Sequence, residues 1–246
     1  MNLLRKTPHL ALVLILLLTS GCVLVRMLKV KNQLNDFDKN FDLHDQRGLT
    51  LVFKNPVLGS DDIVWLMKGE PSGNKKIEKG ELWTYVFEKE YVASKDEEGD
   101  YDIPVIMVME YGKLAEMSFP ERFLKNLSLP LLKKMFASMG NADVSKLRKS
   151  ANSKFKGKDA SEIPTAENVV ETLGKPYSIE NSGEESKYSY IYYLKKPEGD
   201  KGKKNFKFDM EFTVKNNDKS LIQAKGTIRG IKIALDFENA QKTVSQ

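Results

Sequence analysis

The chain has 246 residues, 41% of them apolar and 30% charged, a net charge of +5 and a single cysteine, Cys22. This length suits one large domain or two small ones with a buried core, and one cysteine excludes stapling by disulfides. The positive charge is mild and spread out, which excludes the basic face or stripe of a nucleic-acid binder.

Arg5 and Lys6 precede the apolar run Leu10–Val25, about sixteen residues broken by Thr19-Ser20-Gly21-Cys22. Basic lead, apolar centre and small-residue end are the layout of a secretory signal peptide. The run is shorter than the roughly 20 residues of a spanning helix. Ser20-Gly21-Cys22 resembles the lipobox of bacterial lipoproteins, with Thr19 where most carry leucine. That resemblance implies cleavage between Gly21 and Cys22 and acylation of Cys22, palmitate included, which tethers the protein to a membrane. Val23 after the cysteine implies delivery to the outer membrane of a Gram-negative bacterium, on its periplasmic face. Without the leader the charge falls to +3.

The expected organisation is a signal peptide at 1–21, a lipid-anchored helix or stalk at 22–47, a first unit at 48–124, and a helical connection with a second unit at 125–246. Residues 23–41 have helical spacing, with Leu24, Met27, Leu28, Leu34, Phe37 and Phe41 roughly on one face. Leu49–Phe53 reads as a strand closed by Asn55-Pro56. Ser60 reads as the N-cap of a helix over Asp61–Lys68, with acids in its first turn and Gly69-x-Pro71 at its end. Glu81–Glu88 alternates as a strand with Trp83, Tyr85 and Phe87 on one face. Pro104–Glu110 and Leu114–Phe119 are further strands, and 95–102 a loop. Leu129–Met139 reads as a helix ended by Gly140, and Asp143–Ala151 as another. Phe206–Val214 alternates, with Lys207, Asp209, Glu211 and Thr213 on the water side. Ser220–Ile228 and Gly230–Phe237 are the last strands, before a polar tail at 239–246.

A shift of 105 residues aligns Ser60 with Thr165, Gly69 with Gly174, Pro71 with Pro176, and Trp83, Tyr85, Val86 and Phe87 with Tyr188, Tyr190, Ile191 and Tyr192. This predicts an α+β fold of two tandem repeats, each a short helix layer on a three- or four-stranded antiparallel sheet. Thr165-Ala-Glu-Asn-Val169-Val-Glu-Thr-Leu173-Gly174-Lys-Pro176 resembles the SmpA/OmlA (BamE-like) family of small outer-membrane lipoproteins, and Ser60–Pro71 follows it loosely. A tandem of such units is similar in plan to the β-lactamase inhibitor protein fold. The first likeness implies a non-enzymatic accessory protein that binds others in outer-membrane or envelope assembly and maintenance. The second implies an inhibitor of a periplasmic or extracellular hydrolase. A carrier of a lipid or other small ligand is a further alternative.

No catalytic grouping, cofactor motif or metal set stands out. His44 lies between Asp42 and Asp45, but the exported part holds no second histidine, so a solvated loop is the better reading. Asp61-Asp62 is explained by the helix N-terminus. Lys195-Lys196 and Lys201–Lys204 read as a solvated hairpin loop rather than a lipid contact. Trp83, Tyr85, Tyr177, Tyr188, Tyr190, Tyr192 and Tyr193 are the candidate binding surface, since tyrosine is rigid and amphipathic, with core packing as the competing role.

Overall fold

Alternating strands dominate the chain, and they do not sort into two sheets. The computed structural model describes residues 23–46, 48–91, 101–157, 163–197, 199 and 206–238. The first half holds α1 (residues 23–33), a 3-10 turn (Leu34–Asp36), α2 (Phe37–Asn40), β1 (Phe41–His44), β2 (Leu49–Phe53), α3 (Ser60–Met67), β3 (Gly73–Ile77), β4 (Gly80–Lys89), β5 (Ile103–Glu110) and β6 (Lys113–Phe119). A connection of α4 (Arg122–Asn126), α5 (Leu129–Gly140), β7 (Asp143–Ser145) and β8 (Ser150–Lys154) follows. The second half holds α6 (Ala166–Leu173), β9 (Ser178–Ser182), β10 (Glu185–Leu194), β11 (Lys207–Lys215), β12 (Leu221–Ile228) and β13 (Ile231–Asp236).

Among these residues thirteen strands form one sheet, in the order β1-β2-β6-β5-β4-β10-β11-β12-β13-β8-β7, with β3 beside β4 and β9 beside β10. All pairs are antiparallel except β13 with β8. The predicted fold of two separate helix-on-sheet repeats is therefore incorrect. Strand length explains why. β4 and β10 have ten residues each, whereas their hairpin partners β3 and β9 have five. Each long strand thus leaves its C-terminal end without a partner on that edge, and unpaired backbone groups must find one. They find each other: Phe87 pairs with Leu194, Glu88 with Tyr193 and Lys89 with Tyr192. Two further bonds of 2.8 Å, from Glu90 N–H to Ile191 O and from Lys195 N–H to Val86 O, close the seam.

The helices before β3 and β9 share one device and differ in detail. Tyr85 OH donates to Gly69 O at 3.1 Å, and Tyr190 OH to Gly174 O at 3.0 Å, so each helix end is bolted to the strand that follows. Thr165 caps α6, and the Asn168 side chain answers by accepting from Thr165 N–H at 2.9 Å. In α3 the cap is Gly59 rather than the predicted Ser60, and Asp62 accepts from Gly59 N–H at 2.8 Å. The gapless 105-residue shift thus fails at the helices. Gly69 N–H reaches back to Val64 O, while Gly174 N–H reaches Val170 O, and Lys68, left-handed at φ 57°, takes up the extra residue.

Inner-face side chains make one core that runs through both halves, from Phe41, Met107 and Leu114 to Tyr192, Val214 and Phe237. The sheet curls around its helices. α5 touches β1 at one end of the sheet and β8 and β13 at the other. Gly140 lets the 3-10 turn Leu34–Asp36 lie against the end of α5, because a Cβ there would stand 2.5 Å from Asn35 N. At the β12–β13 turn the Arg229 guanidinium lies 4.0 Å from the Trp65 ring centre in α3 and donates to Trp65 O, so the second half reaches the helix of the first.

The connection differs from its predicted form at one place: 143–151, expected as helix, belongs to the β7–β8 hairpin, with β8 held along β13. The N-terminal segment, expected as helix and stalk, lies against the body. Val23, Phe37 and Phe41 are buried, whereas Leu24 points outward.

Candidate functional site

Signal-peptide residues, the cleavage position Gly21 and the lipidation residue Cys22 lie outside the described residues, as do Lys201–Lys204. The predicted aromatic surface comes apart. Trp83, Tyr85, Tyr190 and Tyr192 are buried on the inner face, at 5%, 0%, 1% and 0% exposure, and cannot form a binding surface. Tyr188 is half-buried against the same core. Tyr193, on the outer face at the seam, is half-buried, and Tyr177 is exposed. Alternation explains the split, since aromatic residues two apart must share a face, and here that face carries the helices.

His44 ends β1 opposite Thr50, while Asp42 pairs with Lys54 at 2.9 Å. Asp62 is 1% exposed and paired with Arg26 as well as capping α3. Lys195 pairs with Glu88 at 3.3 Å, across the seam.

The sequence reading missed a cation cluster on the inner side of that seam. Lys89 continues the inward series Trp83, Tyr85, Phe87, so the register buries it. Its Nζ lies 4.9, 5.0 and 5.6 Å from the ring centres of Tyr101, Tyr91 and Tyr190, a geometry in which ring quadrupoles stabilise the ammonium. Gly174 leaves room for it: a Cβ there would sit 2.5 Å from Lys89 Nζ. Arg122, at the start of α4, donates to the carbonyls of Asp102 at 2.7 Å, Thr172 at 2.8 Å and Tyr101 at 3.1 Å, tying α4, α6 and β5 together. Asp102 accepts from Lys89 N–H at 2.8 Å. Its carboxyl is held above the ordinary value, chiefly by burial. The Tyr190 and Tyr192 hydroxyls are pushed up for the same reason and stay protonated. Tyr192 OH and Thr172 Oγ1 are buried with no hydrogen-bond partner among the described residues. The cluster's contacts are those of a joint, and the signal for it was a lysine at an inward position of an aromatic strand.

Among the described residues, the outer sheet face is a broad surface open to other molecules. In the second half it forms an open groove of about 950 Å³ across β10, β11, β12, β13 and β8. Ile191, Asp209, Thr227, Lys232 and Ser150 make one cross-strand row, and Ser189, Glu211, Lys225, Ala234 and Asn152 the next. Tyr177 and Arg148 contribute to its lining. Glu211 pairs with Lys225 at 3.2 Å and Lys187 at 3.7 Å. In the first half the same face carries an apolar patch on β4 and β5, bordered on β6 by Glu116 and Ser118. Val86 stands opposite Pro104, Leu82 opposite Val108, and Thr84 opposite Ile106, which is 40% exposed. The seam joins the two parts through Tyr193 and Ile191.

Among the described residues, fold and site together define a single curled sheet with its helices on the inside and an uncovered, two-part outer face. Comparison with protein-family models, with characterised proteins and with solved structures gave no match.

Proposed function

We propose that this is a lipid-anchored protein of the bacterial envelope, held at the outer membrane through Cys22 and acting by binding other proteins along its outer sheet face. The leader ending at Gly21-Cys22 and the motif resemblance to small outer-membrane lipoproteins support the anchor and the location. The observation that carries the binding role is the continuous outer face, apolar at Leu82, Val86, Ile106 and Val108 and charged at Asp209, Glu211, Lys225 and Lys232. An apolar patch with a polar, charged margin is the usual anatomy of a protein interface. The groove itself favours a second reading, a carrier of a small polar ligand, because it has the volume of a ligand pocket.

Two measurements test the proposal. Cys22→Ser should leave the protein unprocessed or release it from the membrane fraction, and unchanged mature mass and fractionation would refute the anchor. A photo-crosslinking amino acid at Ile106 or Tyr177 should trap a discrete partner in intact cells, whereas the same group at Leu147, on the β7–β8 turn, should not. Equal labelling at all three positions, or none, would remove the outer face as the binding surface.

A further inference from the structure

The N-terminal helix does not stand off from the body. It is helical from residue 23 on among the described residues, and Val23 is 7% exposed. One turn later Arg26 pairs with Asp62 through two guanidinium nitrogens. Asp62 in turn accepts from Gly59 N–H, and Ser60 N–H donates to Gly112 O at 3.0 Å. This chain of bonds fixes the start of α1 beside the β5–β6 turn. Tyr111 N–H donates to Lys79 O at 3.2 Å, which adds the β3–β4 turn to the same pole.

Large apolar side chains are exposed at that pole. Leu24 is 47% exposed, Val25 52%, Ile77 37% and Tyr111 82%. Lys75, Lys76, Lys79 and Lys113 are exposed around them, with the acids Asp61, Glu78 and Glu110 at the same pole. Aliphatic and tyrosine tips ringed by lysine are the composition of a surface that meets lipid headgroups, where tyrosine sits at the interface and lysine pairs with anionic phosphate.

We infer that this pole rests on the bilayer, with Leu24, Val25, Ile77 and Tyr111 entering the headgroup layer. The inference rests on the anchor proposed at Cys22. A residue spans at most roughly 3.6 Å, so an acyl chain on the residue before Val23 leaves no slack between lipid and body. The outer sheet face is then presented at a set orientation rather than on a swinging tether.

An environment-sensitive fluorescent amino acid replacing Tyr111, or Leu147 as the comparison site, tests this in phosphatidylethanolamine–phosphatidylglycerol vesicles. The purified lipidated protein is used, and its mass is measured first. The probe at 111 should brighten several-fold and be quenched by nitroxide lipids, while the probe at 147, a position 96% exposed, should not respond. A silent probe at 111, or equal responses at both positions, would overturn the inference. A Gly-Ser spacer inserted after Cys22, checked for an unchanged melting temperature, should reduce the response at 111, and an undiminished response would overturn the role of the docked helix. If the mass shows no lipid, the leaderless body coupled through Cys22 to a maleimide phospholipid carries the same probes. The 111 response there would uphold the pole although the native anchor had failed, and its absence would reject the pole as well.

Discussion

The inner and outer faces of the two halves obey different rules. Inside, both halves use a strand tyrosine to hold the carbonyl of a helix-ending glycine, Tyr85 on Gly69 and Tyr190 on Gly174, at nearly the same distance. Outside, β4 and β5 of the first half carry an apolar patch at Leu82, Val86 and Ile106, while the second half is charged across Asp209, Glu211 and Lys225. Packing leaves few solutions for a helix on a sheet, so the inner device recurs. No such demand acts on a face that meets water or a partner, and there the halves have taken separate characters. The difference puts stability on the inner face and leaves the outer one to the recognition proposed for it.

The sharpest way to break the comparison is at the two glycines. Gly174 has φ 74° and is pressed by Lys89 and Tyr101, whereas a Cβ on Gly69 would meet nothing within 4 Å. Gly174→Val should destabilise by about 3 kcal/mol or more, combining backbone strain with overpacking, and Gly69→Val by about 1 kcal/mol or less. Equal losses in chemical denaturation would show that the seam does not constrain Gly174.

The tyrosines sharpen it further. Tyr85→Phe and Tyr190→Phe should each lose about 1–2 kcal/mol, since each leaves a glycine carbonyl without its donor. Tyr192→Phe removes a buried hydroxyl that has no partner among the described residues, and should be neutral or stabilising. A loss at Tyr192 as large as at Tyr190 would refute the distinction.

Asp102 gives a pH test of the joint. Burial raises its carboxyl in the folded state, so the fold binds that proton more tightly than the unfolded chain does. Stability from this group is then present at low pH and is lost as pH rises through the shifted value. Asp102→Asn should raise the melting temperature at neutral pH, with the advantage fading as pH falls through the raised value and gone below the ordinary carboxylate value of about 4. An advantage that grows on acidification would reverse the assigned cause. The smallest effect belongs to the outer face: Lys225→Gln, at a half-exposed ion pair, should change stability by about 0.5 kcal/mol or less.

Sequence periodicity revealed most of the strong elements, because β4, β5 and β10 bury alternate side chains and α5 and α6 bury a stripe. It revealed neither β3 nor β9, since Gly73–Ile77 and Ser178–Ser182 are polar edge strands stabilised by pairing rather than burial. Residues 143–151 looked helical because their strand character comes from β13, far along the chain. The merging of two expected sheets rests on three residue pairs at the seam, a contact that no local pattern encodes. Lys89 and the outer-face charges were visible as residue types, and only the register gave them neighbours.

The parallel pairing of β8 with β13 also orders events in time. A chain delivered from its N-terminus presents all of β1 to β6 by Phe119, so the first half can assemble while the remainder is still emerging. The β7–β8 hairpin has no such luxury. Its open edge waits for β13, the last strand among the described residues, and until then it is exposed to the aggregation and misassembly that unpaired edges invite. The arrival of β13 therefore pairs β8 and also ends an interval of exposure for its edge.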